Sequence, residues 1–235
     1  MSAPLRWLSR VTPKPEIGYK DVMALGSLDP YGQHQALWRL FDLPPKEVRA
    51  GQPVPFLFRA EQLNGLPLLY VLSEQCPQDR LALWRIEPRE FTPDIRAGDR
   101  LSFKLRVNPV VSRAAEKGQR GKRHDVVMDA KQRMGWKALP EKERPTLAHL
   151  AYEAGACWLR DRQEDAGIAL NETALRVDGY RNWRQRGGKE IALSTLDFEG
   201  ELTVTDSARL VAALLRGIGP AKAFGCGLLL LRRLR

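Results

Sequence analysis

Few side chains in this sequence can move a proton near neutral pH. There are three histidines in 235 residues, His34, His124 and His149. Only His34 has a setting that suggests chemistry. Asp29-Pro30 stands just ahead of it, with Asp as a candidate N-cap and Pro at the first helical position. Tyr31, three residues before His34, then falls on the same helical face. A helix N-terminus attracts phosphate and disfavours an imidazolium. A neutral imidazole beside a phosphate is what a general base needs near pH 7. The spacing suits equally well, or slightly better, a histidine that packs with Leu37, Trp38 and Phe41. His149 lies beside the apolar stripe of a predicted helix and His124 in a basic stretch, which fits structural or solvated roles.

The other candidate chemistry is of two kinds. The histidines are not spaced as metal ligands, and no DxD, HExxH or carboxylate cluster accompanies them, so neither a metal nor a cofactor is expected. The second kind is the run Gly217-Ile-Gly219-Pro220-Ala-Lys222-Ala-Phe224-Gly225-Cys226-Gly227-Leu228. It follows a predicted helix and precedes a predicted strand, the reverse of Rossmann and Walker loops. Such a run can offer backbone N–H groups to phosphate, with Lys222 adding charge. It can equally be a tight turn in which glycine allows close packing.

The charge balance narrows the partner. Formal net charge is +10 and the pI about 9.8, which points to a polyanion, either nucleic acid or an anionic membrane surface. Residues 1–14 lack an apolar signal core, and the apolar run 228–231 is too short to span a bilayer. Three scattered cysteines, Cys76, Cys157 and Cys226, have no CxxC spacing and fit a reducing cytoplasm. The positive charge is focused. Residues 113–124 hold Arg113, Lys117, Arg120, Lys122 and Arg123 against Glu116, a net +4. Residues 176–189 hold Arg176, Arg181, Arg184, Arg186 and Lys189 against Asp178, again +4, with Tyr180 and Trp183 interleaved. The second stretch reads as a basic hairpin tip that contacts RNA. The first reads as an arm that could touch RNA or a protein.

Hydrophobic periodicity supplies the elements that must position these groups. A strand over 6–11 and a helix from Pro30 come first, the latter ended by Pro44-Pro45. A hairpin of 54–60 with 66–73 turns at Asn64-Gly65. A short helix near 78–83 and a strand over 84–91 would follow. The order then recurs: a strand over 99–107, a helix over 145–162, strands over 168–177 and 191–204, a helix capped by Asp206, and a strand over 225–231. The pattern predicts an α+β chain of two tandem ferredoxin-like (RRM-like) βαββαβ domains, 1–96 and 97–235, joined near 93–98. Residues 108–144 fit no element.

The chain resembles the CasE-type CRISPR repeat endoribonucleases of type I-E systems. The resemblance rests on Trp7-Leu-Ser-Arg-Val11, Tyr31-Gly-Gln-His34-Gln-Ala-Leu-Trp38, Leu101-Ser-Phe-Lys-Leu-Arg-Val-Asn-Pro109, Phe198-Glu-Gly-Glu-Leu-Thr-Val204 and residues 217–229. It covers nearly the whole chain and is most specific in the last block. It implies two ferredoxin-like domains, with Tyr31 and His34 as the catalytic tyrosine and histidine. It also implies a C-terminal glycine-rich loop at Gly217, Gly219, Lys222, Gly225 and Gly227 that meets RNA. The family's stem-gripping hairpin corresponds, by position and charge only, to Arg176, Arg181, Arg184, Arg186 and Lys189. Residues 44–51 and the arm after Pro109 match no part of the family pattern.

The implied reaction is attack of a ribose 2′-hydroxyl on the adjacent phosphate, leaving a cyclic phosphate and a 5′-hydroxyl. His34 would be the general base, with the acid role also open. A phenol's ordinary pKa of about 10 makes Tyr31 a poor base and suits it to donate a hydrogen bond. Lys222 would neutralise developing charge. The implied partners are the CRISPR repeat hairpin, retained as crRNA, and other subunits of the surveillance complex, with no membrane. The alternative is a non-catalytic RNA-binding subunit on the same fold. An RRM-type strand face is disfavoured because 99–107 offers only Phe103.

Overall fold

A computed structural model of the chain describes residues 5–26, 29–42, 55–113, 122–185 and 191–234. The chain divides into two compact units, one of residues 1–94 with 221–228 and one of residues 95–220 with 229–235.

The first unit is built on a four-stranded antiparallel sheet of β1 (Trp7–Pro13), β2 (Phe56–Leu63), β3 (Leu66–Ser73) and β4 (Trp84–Glu90), in the order β2-β3-β1-β4. The β2–β3 hairpin turns where the sequence predicts, with Leu63 paired to Leu66 and positive φ at both Asn64 and Gly65, as the favoured two-residue turn requires. Two helices precede β2: α1 (Tyr19–Gly26) and α2 (Pro30–Trp38). The Asp29 side chain accepts the Gly32 N–H and Pro30 opens the helix, as expected. Helix α2 ends at Trp38; Pro44 and Pro45 lie outside the described residues, as does the unmatched stretch 44–51. The core beneath α2 gathers Val11, Leu37, Leu40, Phe41, Phe56, Phe58, Leu69, Val71 and Trp84.

Two expectations are corrected in this unit. The short helix near 78–83 is absent. That stretch runs irregularly into β4, and Asp79, which accepts the Leu83 N–H and pairs with Lys14 at 2.7 Å, holds it in place. A carboxylate that bonds backbone locally competes with helix formation. Helix α1, in contrast, is an element that the periodicity does not predict.

The second unit has the same strand logic. Its sheet runs β11-β5-β10-β8, with β9 also on β10, all antiparallel: β5 (Arg100–Val107), β8 (Ile168–Leu170), β9 (Arg176–Gln185), β10 (Ile191–Val204) and β11 (Leu229–Arg233). Helices α4 (Leu147–Arg160) and α6 (Ser207–Arg216) are the ferredoxin-type crossovers, with α5 (Gln163–Ala166) a short turn between. The predicted strand over 168–177 is two strands on one edge of β10, because 171–175 leave the ladder between them. The region 108–144, which fits no element by periodicity, holds regular structure. A ribbon of β6 (Val110–Arg113) and β7 (Lys122–Asp125) leads into α3 (Val126–Arg133). Short strands and a two-turn helix carry too little periodicity to announce themselves. Among the described residues no helix is long and apolar enough to cross a membrane.

Candidate active site

Tyr31 and His34 both lie on α2, one turn apart, as the spacing predicts. The two side chains have different surroundings. Tyr31 is half-buried and its ring stands 6.2 Å from that of Phe224. His34 is only 8% exposed. Its ring lies among Trp38, Phe56 and Phe58, at centroid separations of 5.8, 5.2 and 6.0 Å. The Trp38 indole N–H donates to His34 Nε2 at 2.8 Å. Because an indole nitrogen only donates, Nε2 must hold a lone pair and Nδ1 the proton. Nδ1 is buried with no hydrogen-bond partner among the described residues. Burial pushes the imidazole pKa down to about 4, since an apolar box disfavours the charged form. His34 is therefore neutral at pH 7.

The glycine-rich run is divided between the units. Gly217 and Gly219 belong to the second and Lys222, Gly225 and Gly227 to the first. Within the first unit, residues 222–224 form a single 3-10 turn that packs on α2 and β2. Gly225, at φ +74, shows why glycine is needed: a Cβ there would stand 3.2 Å from the Phe58 ring. The phenylalanine that flanks His34 thus also backs the turn that carries Lys222. Gly219 is likewise pressed against Trp158, 3.1 Å from where its Cβ would be. Close packing of this kind accounts for both glycines without any ligand.

Arg176, Arg181 and Arg184 lie along β9, in the strand and not beyond its tip. Arg176 and Arg181 are exposed, and neither joins a salt bridge among the described residues. Arg186 and Lys189 lie outside the described residues. Tyr180, read as part of the basic surface, is otherwise engaged. Its hydroxyl donates to Asp125 at 2.9 Å, and its pKa is pushed up by burial and by the Asp125 charge. Asp125 also accepts from Ser194 Oγ and from the Met128 N–H that opens α3. One carboxylate therefore ties the β6–β7 ribbon to the β9–β10 hairpin inside the second unit. Among the described residues, no three His, Cys, Asp or Glu side chains group as metal ligands.

Sequence reasoning missed the Trp38–His34 bond, the Phe56 and Phe58 walls, Phe224 and Asp125. The first was readable: residues four apart on a helix meet, and His34 and Trp38 have that spacing. The walls come from β2, far away in sequence, and left no local sign.

A family model described as CRISPR associated protein matches residues 6–233. The CRISPR system Cascade subunit CasE of Escherichia coli (strain K12) is 30% identical over 205 residues, covering 86% of this chain and 92% of that protein. The CRISPR-associated endoribonuclease Cse3 of Thermus thermophilus is 30% identical over 207 residues, 86% of this chain and 89% of that one. Among solved structures, CRISPR endoribonuclease Cse3 bound to a 19-nt RNA matches with a TM-score of 0.69 at 26% identity, covering 97% of this chain and 99% of that one. The Cas6e protein of Escherichia coli K-12 matches with a TM-score of 0.55 at 26% identity, covering 97% and 100%.

Proposed function

The chain belongs to the CRISPR-associated protein family, and on that premise we infer that it is a CasE-type endoribonuclease. It binds CRISPR RNA and serves as a subunit of a CRISPR surveillance complex. We further propose that it cuts the repeat hairpin of the precursor without a metal. A ribose 2′-hydroxyl attacks the adjacent phosphate, giving a cyclic phosphate and a 5′-hydroxyl, and the enzyme keeps the product. His34 is the general base. Tyr31 donates a hydrogen bond to the phosphate or the leaving oxygen, and Lys222 offsets the charge that develops. The observation that carries this assignment is the shared neighbourhood inside one unit: α2 presents Tyr31 and His34 a turn apart, and the turn bearing Lys222 packs on that helix through Phe224. We place the protein in the cytoplasm, in keeping with its free cysteines Cys76, Cys157 and Cys226.

One observation favours a second reading, an RNA-binding subunit without catalysis. His34 is buried in an aromatic box, as a packing residue would be. The two readings part on chemistry. With the cognate repeat hairpin in EDTA, the first expects full cleavage to cyclic-phosphate and 5′-hydroxyl ends. Replacing the 2′-hydroxyl at the cut site by hydrogen should abolish cleavage and leave binding nearly intact. Cutting of the deoxy substrate, or cutting that stops in EDTA, overturns the mechanism; no cutting of either RNA favours the second reading.

A further inference from the structure

In the arrangement seen, neither ring nitrogen of His34 is open to a substrate oxygen. One nitrogen is covered by the Trp38 indole at 2.8 Å. The other is closed off by packing and has no partner among the described residues. A buried N–H without an acceptor is a standing cost to the fold. The imidazole serves the Trp38 indole as an acceptor but leaves its own N–H unpaired, so packing alone does not account for it. The indole is itself held edge-on against Phe56, ring centroids 5.3 Å apart at 72°, which fixes the direction of its N–H.

We propose that Trp38 is a positioning residue that latches His34 in the RNA-free chain, selecting the tautomer with a lone pair on Nε2 and masking that lone pair until RNA binding draws the imidazole off the indole. The proposal rests on the reading of His34 as the base. A base must meet the 2′-hydroxyl with an unprotonated nitrogen, and a ring carrying its proton on Nε2 would need to change tautomer first. Once released, Nε2 takes the 2′-hydroxyl proton as the 2′-oxygen bonds to phosphorus. The bond from phosphorus to the 5′-oxygen breaks, and the imidazolium, with both nitrogens protonated, returns that proton to the 5′-oxygen. Protons and electrons balance, and His34 ends neutral.

No charged side chain is among the ring contacts of His34: Trp38 of α2 and Phe56 and Phe58 of β2 are uncharged. The titratable groups of α2, β2 and the 3-10 turn besides His34 are Tyr31, Arg59 and Glu61, which pair with each other, and Lys222. The core-facing residues Val11 of β1 and Leu69 and Val71 of β3 carry no charge. Desolvation is therefore what holds the ring neutral, and the indole donor works in the same direction because it bonds the neutral form alone.

The test is nitrogen NMR on the whole chain with labelled histidine and tryptophan, with and without a repeat hairpin whose cut-site 2′-hydroxyl is replaced by hydrogen. The RNA-free chain should show one neutral His34 tautomer, protonated at Nδ1, that persists toward its midpoint of about 4. Saturation with the deoxy hairpin should move the Trp38 indole resonance as its bond to Nε2 breaks. Trp38→Phe keeps a ring and removes the donor. Its His34 midpoint should rise by about one pH unit, roughly the worth of one hydrogen bond. The acid limb of its pH–rate profile at subsaturating RNA, which reports the free chain, should move with it, and RNA affinity should rise by about fivefold because RNA no longer has to break that bond. An Nε2-protonated tautomer in the free chain, or an unmoved indole resonance at saturation, overturns the latch. If Trp38→Phe does not fold, the wild-type spectra decide alone. His34→Ala, run beside these, judges the other reading: wild-type cleavage there would remove His34 as base while the spectra still report on the latch.

Discussion

Helix α2 and strand β9 carry the two halves of the proposed function, and they are built from opposite materials. On α2 the proposed base, His34, is sunk among aromatic rings and kept neutral by desolvation. On β9, Arg176 and Arg181 stand in solvent with no salt-bridge partner among the described residues. Each choice suits its task. A proton-transfer group gains from an environment that fixes its protonation state. A phosphate-gripping surface gains from charge that stays hydrated until counterions are displaced. The consequence is a separation of parameters: changes at His34 should act on the rate of bound RNA, and changes on β9 on its affinity.

The largest effect that tests this separation is His34→Ala. General acid–base groups contribute about 10²- to 10⁴-fold, so single-turnover cleavage at saturating RNA should slow by that much, with the dissociation constant little changed. A loss under about tenfold on the same scale would make His34 a packing residue and erase the contrast between the two regions.

Next in size is the pH dependence of stability. Burial lowers the folded pKa of His34 from 6.5 to about 4, so the unfolded chain takes up the proton first as pH falls. The stability that neutral His34 allows is complete above about pH 6.5 and is lost progressively as pH drops toward 4. Integrated over that window the loss is roughly 2–4 kcal/mol from this group. Denaturant melts of wild type and His34→Gln at several pH values isolate it from the carboxylates, because both chains share those. The variant should lose distinctly less stability between pH 6.5 and 4. Parallel curves would mean that His34 is not desolvated in solution.

How much of this contrast is legible in the sequence follows from how local each signal is. Asp29, Pro30, Asn64 and Gly65 act on their own neighbours, and they announce the α2 start and the β2–β3 turn. The alternation through Leu101, Phe103, Leu105 and Val107 gives β5 in the same way. The strand orders of both units follow from the element order. What cannot be read is assembled across the chain. The walls around His34 come from β2, the turn beside Tyr31 from residues 222–224, and the partner of Tyr180 from Asp125, 55 residues away. The missing helix near 78–83 fails for the opposite reason: a single local bond, Asp79 to the Leu83 N–H, outweighs a weak apolar pattern.

The smallest expected effect is also the one that locates the RNA stem. Each phosphate that a cation neutralises releases counterions, and its loss flattens the log–log salt dependence of binding by about one unit. Arg176→Ala and Arg181→Ala, both exposed on β9, should each raise the dissociation constant and reduce the slope by up to that amount, while cleavage of saturated RNA stays near wild type. Arg113 is the built-in control. It also sits in a stretch of net +4, yet its guanidinium is engaged by Asp129, whose carboxyl it holds below the usual range. A cation already paired in the free protein has less to gain from a phosphate, so Arg113→Ala should leave the slope where it was. Equal slopes for all three variants would put the stem elsewhere on the protein. A slope change at Arg113 alone would move the grip from the β9–β10 hairpin to the β6–β7 ribbon that Asp125 ties to it.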